Sequence, residues 1–345
     1  MNVFSASQAV SPAIDRTKRY LFHPFEWSTY LKLAAVACIT EGFSANLNFS
    51  SKQPSYSGAG ASTPFNLSSE AIALIVFSVL ACIALCIFIF YLVTRLRFAF
   101  FHCLAHQTKE IRPAWRLYRA QALQYFKANL VIGIIFLCIV LLAALPFAFG
   151  FYGLYQSSRS GGQFDVVRFL LLLLPFIAIV VFISLAACIV EVVLHDFILP
   201  RMALENLSCL QAWDAVKPSI NAEKGSFAMY FFLRLVLPAV AMMALFMVAA
   251  IPLLIVFGIL ALTEVGFNAL LADATGVGAF IRVFFDVMFG LIDLGLGLFV
   301  AFSLGGPIAT WIRNYALLFY GGRYAALGDI LFPALPTAPA VPEAP

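Results

Sequence analysis

The chain has 345 residues, of which 63% are hydrophobic and 11% charged, with a formal net charge of +4. Soluble domains carry about 45–50% apolar and about 25% charged residues, so this composition excludes an ordinary soluble globular protein. The small positive excess comes with no basic-aromatic groove and gives no ground for nucleic-acid binding.

In chain order, residues 1–28 read as a cytoplasmic amphipathic segment. Val10, Ala13, Ile14, Thr17, Tyr20 and Leu21 recur at three and four, with Asp15, Arg16, Lys18 and Arg19 opposite. A six-span membrane domain follows over 29–320, because apolar runs long enough to cross about 30 Å of hydrocarbon fall at 70–94, 129–151, 167–195, 228–258 and 282–312. The first span, 29–47, is weaker, since Lys32 and Glu41 are expensive at depth. Residues 321–345 end in FPALPTAPAVPEAP, a Pro/Ala tail without apolar periodicity that is expected to be disordered. The expected fold class is therefore all-α, a polytopic transmembrane helix bundle with cytoplasmic elbow helices.

Six spans put both termini on one side. With that side cytoplasmic, 17 of the 21 Lys and Arg residues lie in inner segments and only Lys52, Arg159, Arg168 and Arg282 lie outside. The positive-inside rule then predicts a cell (inner) membrane protein with cytoplasmic N- and C-termini. The sequons at Asn48 and Asn66 fall in an outer loop on this topology, and Asn206 falls inside.

The inner segments share a pattern. Trp115, Tyr118, Ala122, Tyr125 and Phe126 form a stripe before the third span, and Leu204, Leu207, Leu210 and Trp213 form one before the fifth. Trp27, Trp115 and Trp213 each precede an outward span, so three tandem helix pairs are expected, each with an inner elbow. With Trp311, all four tryptophans fall at the cytoplasmic boundary and read as interface anchors.

Two runs carry a family likeness, DFILPRMALENLSCLQAW at 196–213 and GGPIATWIRNYALLFYGG at 305–322. The chain resembles uncharacterised prokaryotic six-span membrane proteins, distantly similar to the membrane domain attached to some glycerophosphoryl diester phosphodiesterases. The resemblance covers roughly Ser11 to Gly322 and implies architecture. The phosphodiesterase barrel is absent, so that activity is not implied.

Mechanistic motifs are missing: the sequence has no phosphate loop, no GxSxG elbow, no HExxH and no CxxC. Its seven cysteines suggest neither a disulfide framework nor a metal site, and no cofactor is expected. What remains is an ionisable set at depth, Lys32, Glu41, Glu191, His195, Asp196, Arg234, Glu264, Asp286 and Asp293, of which Glu191, His195, Asp196, Arg234 and Asp293 form the candidate polar site. Glu191 and His195 share a helical face four residues apart, and Glu191 and Arg234 fall at similar depth, so a Glu191–Arg234 ion pair is expected. The leading functional expectation is a noncatalytic bundle that organises or senses the membrane or holds a partner. Its partners would be the lipid bilayer and a protein or a second copy of the chain. The alternatives are a transporter of a small amphiphilic or lipid-like solute, and an inner-leaflet enzyme using Glu191, His195 and Asp196.

Overall fold

The computed structural model describes residues 4–42, 69–160, 165–271 and 275–333. Asn48, Asn66 and residues 334–345 lie outside them, whereas 321–333, expected to belong to a disordered tail, are described and include the helix Ala325–Leu331.

The described chain is all-α. Two helices, α1 (Val10–Phe22) and α2 (Trp27–Gly42), precede the first long helix, α3 (Ser69–Ala105). A short α4 (Ile111–Leu117) leads into α5 (Arg119–Arg159), and α6 (Val166–Val193) returns. A π-helical turn at Leu194–Ile198, α7 (Leu199–Glu205) and α8 (Cys209–Ala222) follow. The long helices α9 (Lys224–Leu270) and α10 (Val277–Gly321) and a short α11 (Ala325–Leu331) complete the fold.

Among the described residues five helices are long and apolar enough to cross a membrane, and no residue of their most apolar stretches is buried within the protein. Helices that are apolar on every face and unburied need an apolar solvent, which makes this a multi-span, membrane-type bundle. α5 pairs with α6 and α9 with α10 as hairpins.

The buried core lies at one end of the bundle. Each long helix sends one end into it: α3 at 98–105, α5 at 122–126, α6 at Val193, α9 at Phe227 and Tyr230, and α10 at 312–321. α1 and α11 pack there too, with the rings of Phe4 and Phe332 5.8 Å apart. α1 buries Ala13, Thr17, Tyr20 and Leu21 as its periodicity predicts, while Ile14 stays exposed. The expected elbow before α9 is rotated. α8 starts at a capping box made by Ser208 and Gln211 and buries Ala212 and Val216, leaving Leu210 and Trp213 exposed.

α2 differs from the other apolar helices. Its 16 residues rise about 24 Å, short of a full hydrocarbon crossing, and it is not one of the five long helices. Instead it packs closely on α10. A Cβ on Gly306 would stand 2.3 Å from the Cβ of Ala34 and 2.6 Å from its Cα, so only glycine permits this approach. Tyr30 reinforces the contact by donating to the Ser303 carbonyl at 2.7 Å.

A candidate functional site of buried charges

Where α6 meets the core, Pro200 has no N–H to give to the carbonyl four residues before it, and its ring crowds that carbonyl. The helix widens there instead, with the Leu199 N–H reaching the Leu194 carbonyl five residues back. The widened turn carries His195 and Asp196, and both are buried.

Asp196 is the centre of the site. Its Oδ1 accepts from Arg313 Nη1 at 2.8 Å, and its Oδ2 accepts from the Tyr230 hydroxyl at 2.6 Å and from Arg234 Nε at 3.0 Å. Tyr230 is aimed by stacking: its ring lies at 11° to Tyr315 and 19° to Phe319. Arg234 also reaches Glu41 at 2.9 Å, bringing the end of α2 into the cluster. Arg97 donates through Nε to the Thr40 carbonyl at 3.1 Å and through Nη2 to Glu191 at 3.3 Å.

His195 sits between these charges. Its Nδ1 lies 3.0 Å from Arg313 Nη1, and its Nε2 lies 3.6 Å from Glu41 Oε1. Arg313 Nη1 also donates to the His195 carbonyl at 2.9 Å, and Nδ1 lies 3.3 Å from Asp196 Oδ1, so on that side the ring meets both a donor and an acceptor, while Nε2 faces Glu41. Three arginines (97, 234, 313) then balance three carboxylates (Glu41, Glu191, Asp196), and the node is neutral while His195 is neutral.

Glu191, His195, Asp196 and Arg234 come together, but the ion pairs run Arg97–Glu191 and Arg234 to Asp196 and Glu41, in place of the expected Glu191–Arg234 pairing. Asp293 is not brought in: it lies 20 residues before Arg313 on α10, about 30 Å along the helix. Glu41 belongs to the wider ionisable set at depth and not to the candidate site, and Arg97 and Arg313 belong to neither. A signal for Arg313 was present, since WIRNYALLFYGG is apolar around the whole helix and leaves its arginine nowhere exposed to go. Arg97 is flanked by apolar residues in the same way.

Of the expected interface anchors, Trp27 is 63% exposed, beside a groove of about 710 Å³ that Lys32, Phe299 and Phe302 also line. Trp213 is exposed as well. Trp115 is held under Arg95, whose guanidinium carbon lies 4.6 Å from the ring centroid, and Trp311 donates to the Val10 carbonyl at 3.4 Å. These last two tie parts of the protein together. Among the described residues no group of three or more His, Cys, Asp or Glu side chains is placed to hold a metal ion.

The fold and the node define a multi-pass helical membrane-type protein with a buried ionic network. The chain belongs to a family of unknown function, DUF7544, whose model matches residues 4–330. No curated protein and no solved structure matches it, and the likeness to the phosphodiesterase-attached membrane domain therefore rests on the two sequence runs alone.

Proposed function

We propose that this chain is a transporter of a small amphiphilic or lipid-like solute, and that the charged node couples solute movement to a proton on His195. The supporting observation is the position of that ring: an imidazole on a π-helical turn, set between Glu41, Asp196 and Arg313. With both ring nitrogens protonated, Nδ1 can only donate, toward Asp196 Oδ1 3.3 Å away, and can no longer accept from Arg313. The α6–α10 tie then has two alternative arrangements, the two-state element that proton coupling needs. Ionisable groups in spans and π-turns inside helices are both recurrent marks of such sites.

The core side is read as cytoplasmic, from the distribution of Lys and Arg. A sixth crossing is supported by parity. Among the described residues the long helices are five, an odd number, yet Phe4 and Phe332 meet in one core, which a further crossing between α1 and α3 would explain. The three-fold repeat of helix pairs is supported so far as α5–α6 and α9–α10 form hairpins.

A noncatalytic organising bundle is favoured by one observation, the saturation of Asp196 by Arg313, Tyr230 and Arg234. The same saturation, with Glu191 engaged by Arg97, disfavours an enzyme using Glu191, His195 and Asp196, because neither carboxylate is left to act as a base.

The test is proton movement in proteoliposomes containing a trapped pH dye, with a gradient of octyl sulfate as the amphiphile. Wild type is expected to move protons with the solute. His195→Gln, whose amide can accept from Arg313 and donate to Glu41 but does not titrate, is expected to lose that movement while folding normally. Rates equal to protein-free liposomes, or a His195→Gln variant with the wild-type pH profile, would favour the organising bundle.

A further inference from the structure

Arg313 is the largest fully buried side chain of the described core, 1% exposed, yet it uses only one of its three nitrogens. Nη1 serves His195 and Asp196, while Nε and Nη2 are buried without a protein partner. Nε and Nη2 form one edge of the guanidinium, with two N–H bonds pointing the same way at the spacing of two oxygens on one carbon, sulfur or phosphorus atom. Leaving such an edge dry and unpaired is costly, so it requires a partner.

A second observation comes from Thr310, one turn before Arg313 on the same face of α10. The hydroxyls of Thr17, Thr40, Thr94 and Thr263 each donate to the carbonyl four residues back. Thr310 does not: its buried Oγ1 has no protein partner. The buried hydroxyl of Tyr125, from α5, is also unpartnered. Guanidinium and hydroxyl groups together can supply several donors, and that is the chemistry of an anion site.

We infer that the free edge of Arg313, with Thr310 one turn before it, is a buried site for an oxyanion, the sulfate-, phosphate- or carboxylate-type head of an anionic solute. The inference deepens the transport reading and rests on it for the identification of the solute. It also supplies a reason for the proton. The node is neutral without a ligand, so an entering monoanion leaves it one charge negative until His195 takes up a proton. The charged groups that face His195 are Glu41 from α2, Arg97 from α3, Asp196 beside it and Arg313 from α10, with Arg234 and Tyr230 from α9 on the far oxygen of Asp196 and Glu191 paired to Arg97. With arginines and carboxylates balanced among them, anion binding tightens as pH falls through neutrality.

The test uses the full chain in nanodiscs and radiolabelled sulfate, which does not itself titrate near neutrality, in a scintillation proximity assay at pH 6 and pH 8. Saturable binding, tighter at pH 6, is expected. Arg313→Lys keeps the charge and a donor for Asp196 but has no two-pronged edge, and is expected to bind about tenfold more weakly or worse. Thr310→Val loses one hydroxyl at nearly unchanged volume, so it keeps the question decidable if Arg313→Lys fails to fold; its binding is expected to weaken by several-fold. Displacement by octyl sulfate identifies an amphiphile head as the occupant, while binding that octyl sulfate leaves intact assigns the site to a free oxyanion. Either result upholds the site. Absence of saturable binding, wild-type binding in both variants, or equal affinity at the two pH values overturns the inference. Sulfate binding without proton movement in liposomes would remove the transport reading and leave the site; solute-driven proton movement unchanged in both variants would do the reverse.

Discussion

Tyr230 donates its hydroxyl to Asp196 Oδ2 across 2.6 Å, and both groups are fully buried. A buried carboxylate is stable only when its oxygens are supplied with donors, and here a phenol shares that duty with two arginines. Tyr230→Phe keeps the ring stack between Tyr315 and Phe319 but withdraws the donor. The expected loss is about 1–3 kcal/mol, the usual range for a hydrogen bond to a buried charge. Thermal unfolding in detergent checks it, and an unchanged midpoint would show that Asp196 does not depend on the phenol.

The ion pairs can be separated by double-mutant cycles. Arg97→Gln with Glu191→Gln, and Arg234→Gln with Glu41→Gln, should each show coupling, because in each pair the first change leaves a charge that the second removes. Glu191→Gln with Arg234→Gln should be closer to additive. Stronger coupling in this last cycle than in the first two would restore the pairing expected from depth along the spans.

How much of this was legible in the sequence depended on whether one helix or several decided the question. The long apolar helices could be read directly, since a run such as 167–190 with a single charge has no stable soluble form. The face of α1 was legible for the same reason: a clear three-and-four period names its own buried side. The face of α8 was not, because Leu210 and Trp213 are apolar and on one stripe, yet the core there has room only for Ala212 and Val216. The partners of Arg234 were likewise out of reach. Equal depth along two spans says nothing about which helices are neighbours, and the π-turn before Pro200 turns Asp196 toward α9. Arg313 could be expected to be buried, but its partners lie 117 and 118 residues away in sequence.

Gly306 offers a test of the α2–α10 contact. Even a methyl group meets the backbone of Ala34, which cannot yield as a flexible side chain would, so Gly306→Ala is expected to destabilise by about 1–3 kcal/mol and Gly306→Val by more. Gly258, whose Cβ position meets nothing within 4 Å, is the control, and Gly258→Ala should be neutral or mildly stabilising. Equal effects at the two positions would mean that α2 does not dock on α10 in the membrane.

Tyr20, on α1 outside the spans, predicts an alkaline effect. It is 2% exposed, donates to the Thr108 carbonyl at 3.0 Å, and burial, with Cys103 adding to it, pushes its pKa well above the ordinary value of about 10. An acid whose folded pKa is raised holds its proton in the folded state and releases it first in the unfolded one. Its contribution is therefore complete below about pH 10 and declines as pH rises beyond that. Tyr20→Phe should be less stable than wild type at pH 8 through the lost hydrogen bond, and the difference should narrow by pH 11. A gap that stays constant from pH 8 to pH 11 would show that the phenol titrates normally.

The orientation is tested by single cysteines in a variant lacking the seven native ones. Ser160 follows α5 at the end remote from the core and is exposed, and Thr275 precedes α10 at the corresponding end of the other hairpin. Gln107 follows the core end of α3 and Asn221 lies in α8, on the opposite side of the bundle. With the core cytoplasmic, an impermeant maleimide added to sealed cells should label Ser160→Cys and Thr275→Cys and spare Gln107→Cys and Asn221→Cys until the membrane is opened. Ser57 and Ala274 are further sites expected outside, and both lie beyond the described residues. The sixth crossing is at stake in the same experiment, because Gln8, exposed before α1 in the same core, has to behave like Gln107. Labelling of Gln8→Cys from outside together with protection of Gln107→Cys would mean that the N-terminal helix and the end of α3 face opposite sides, and neither the packing of Arg16 on the Leu104 carbonyl at 2.8 Å nor a sixth crossing could then stand.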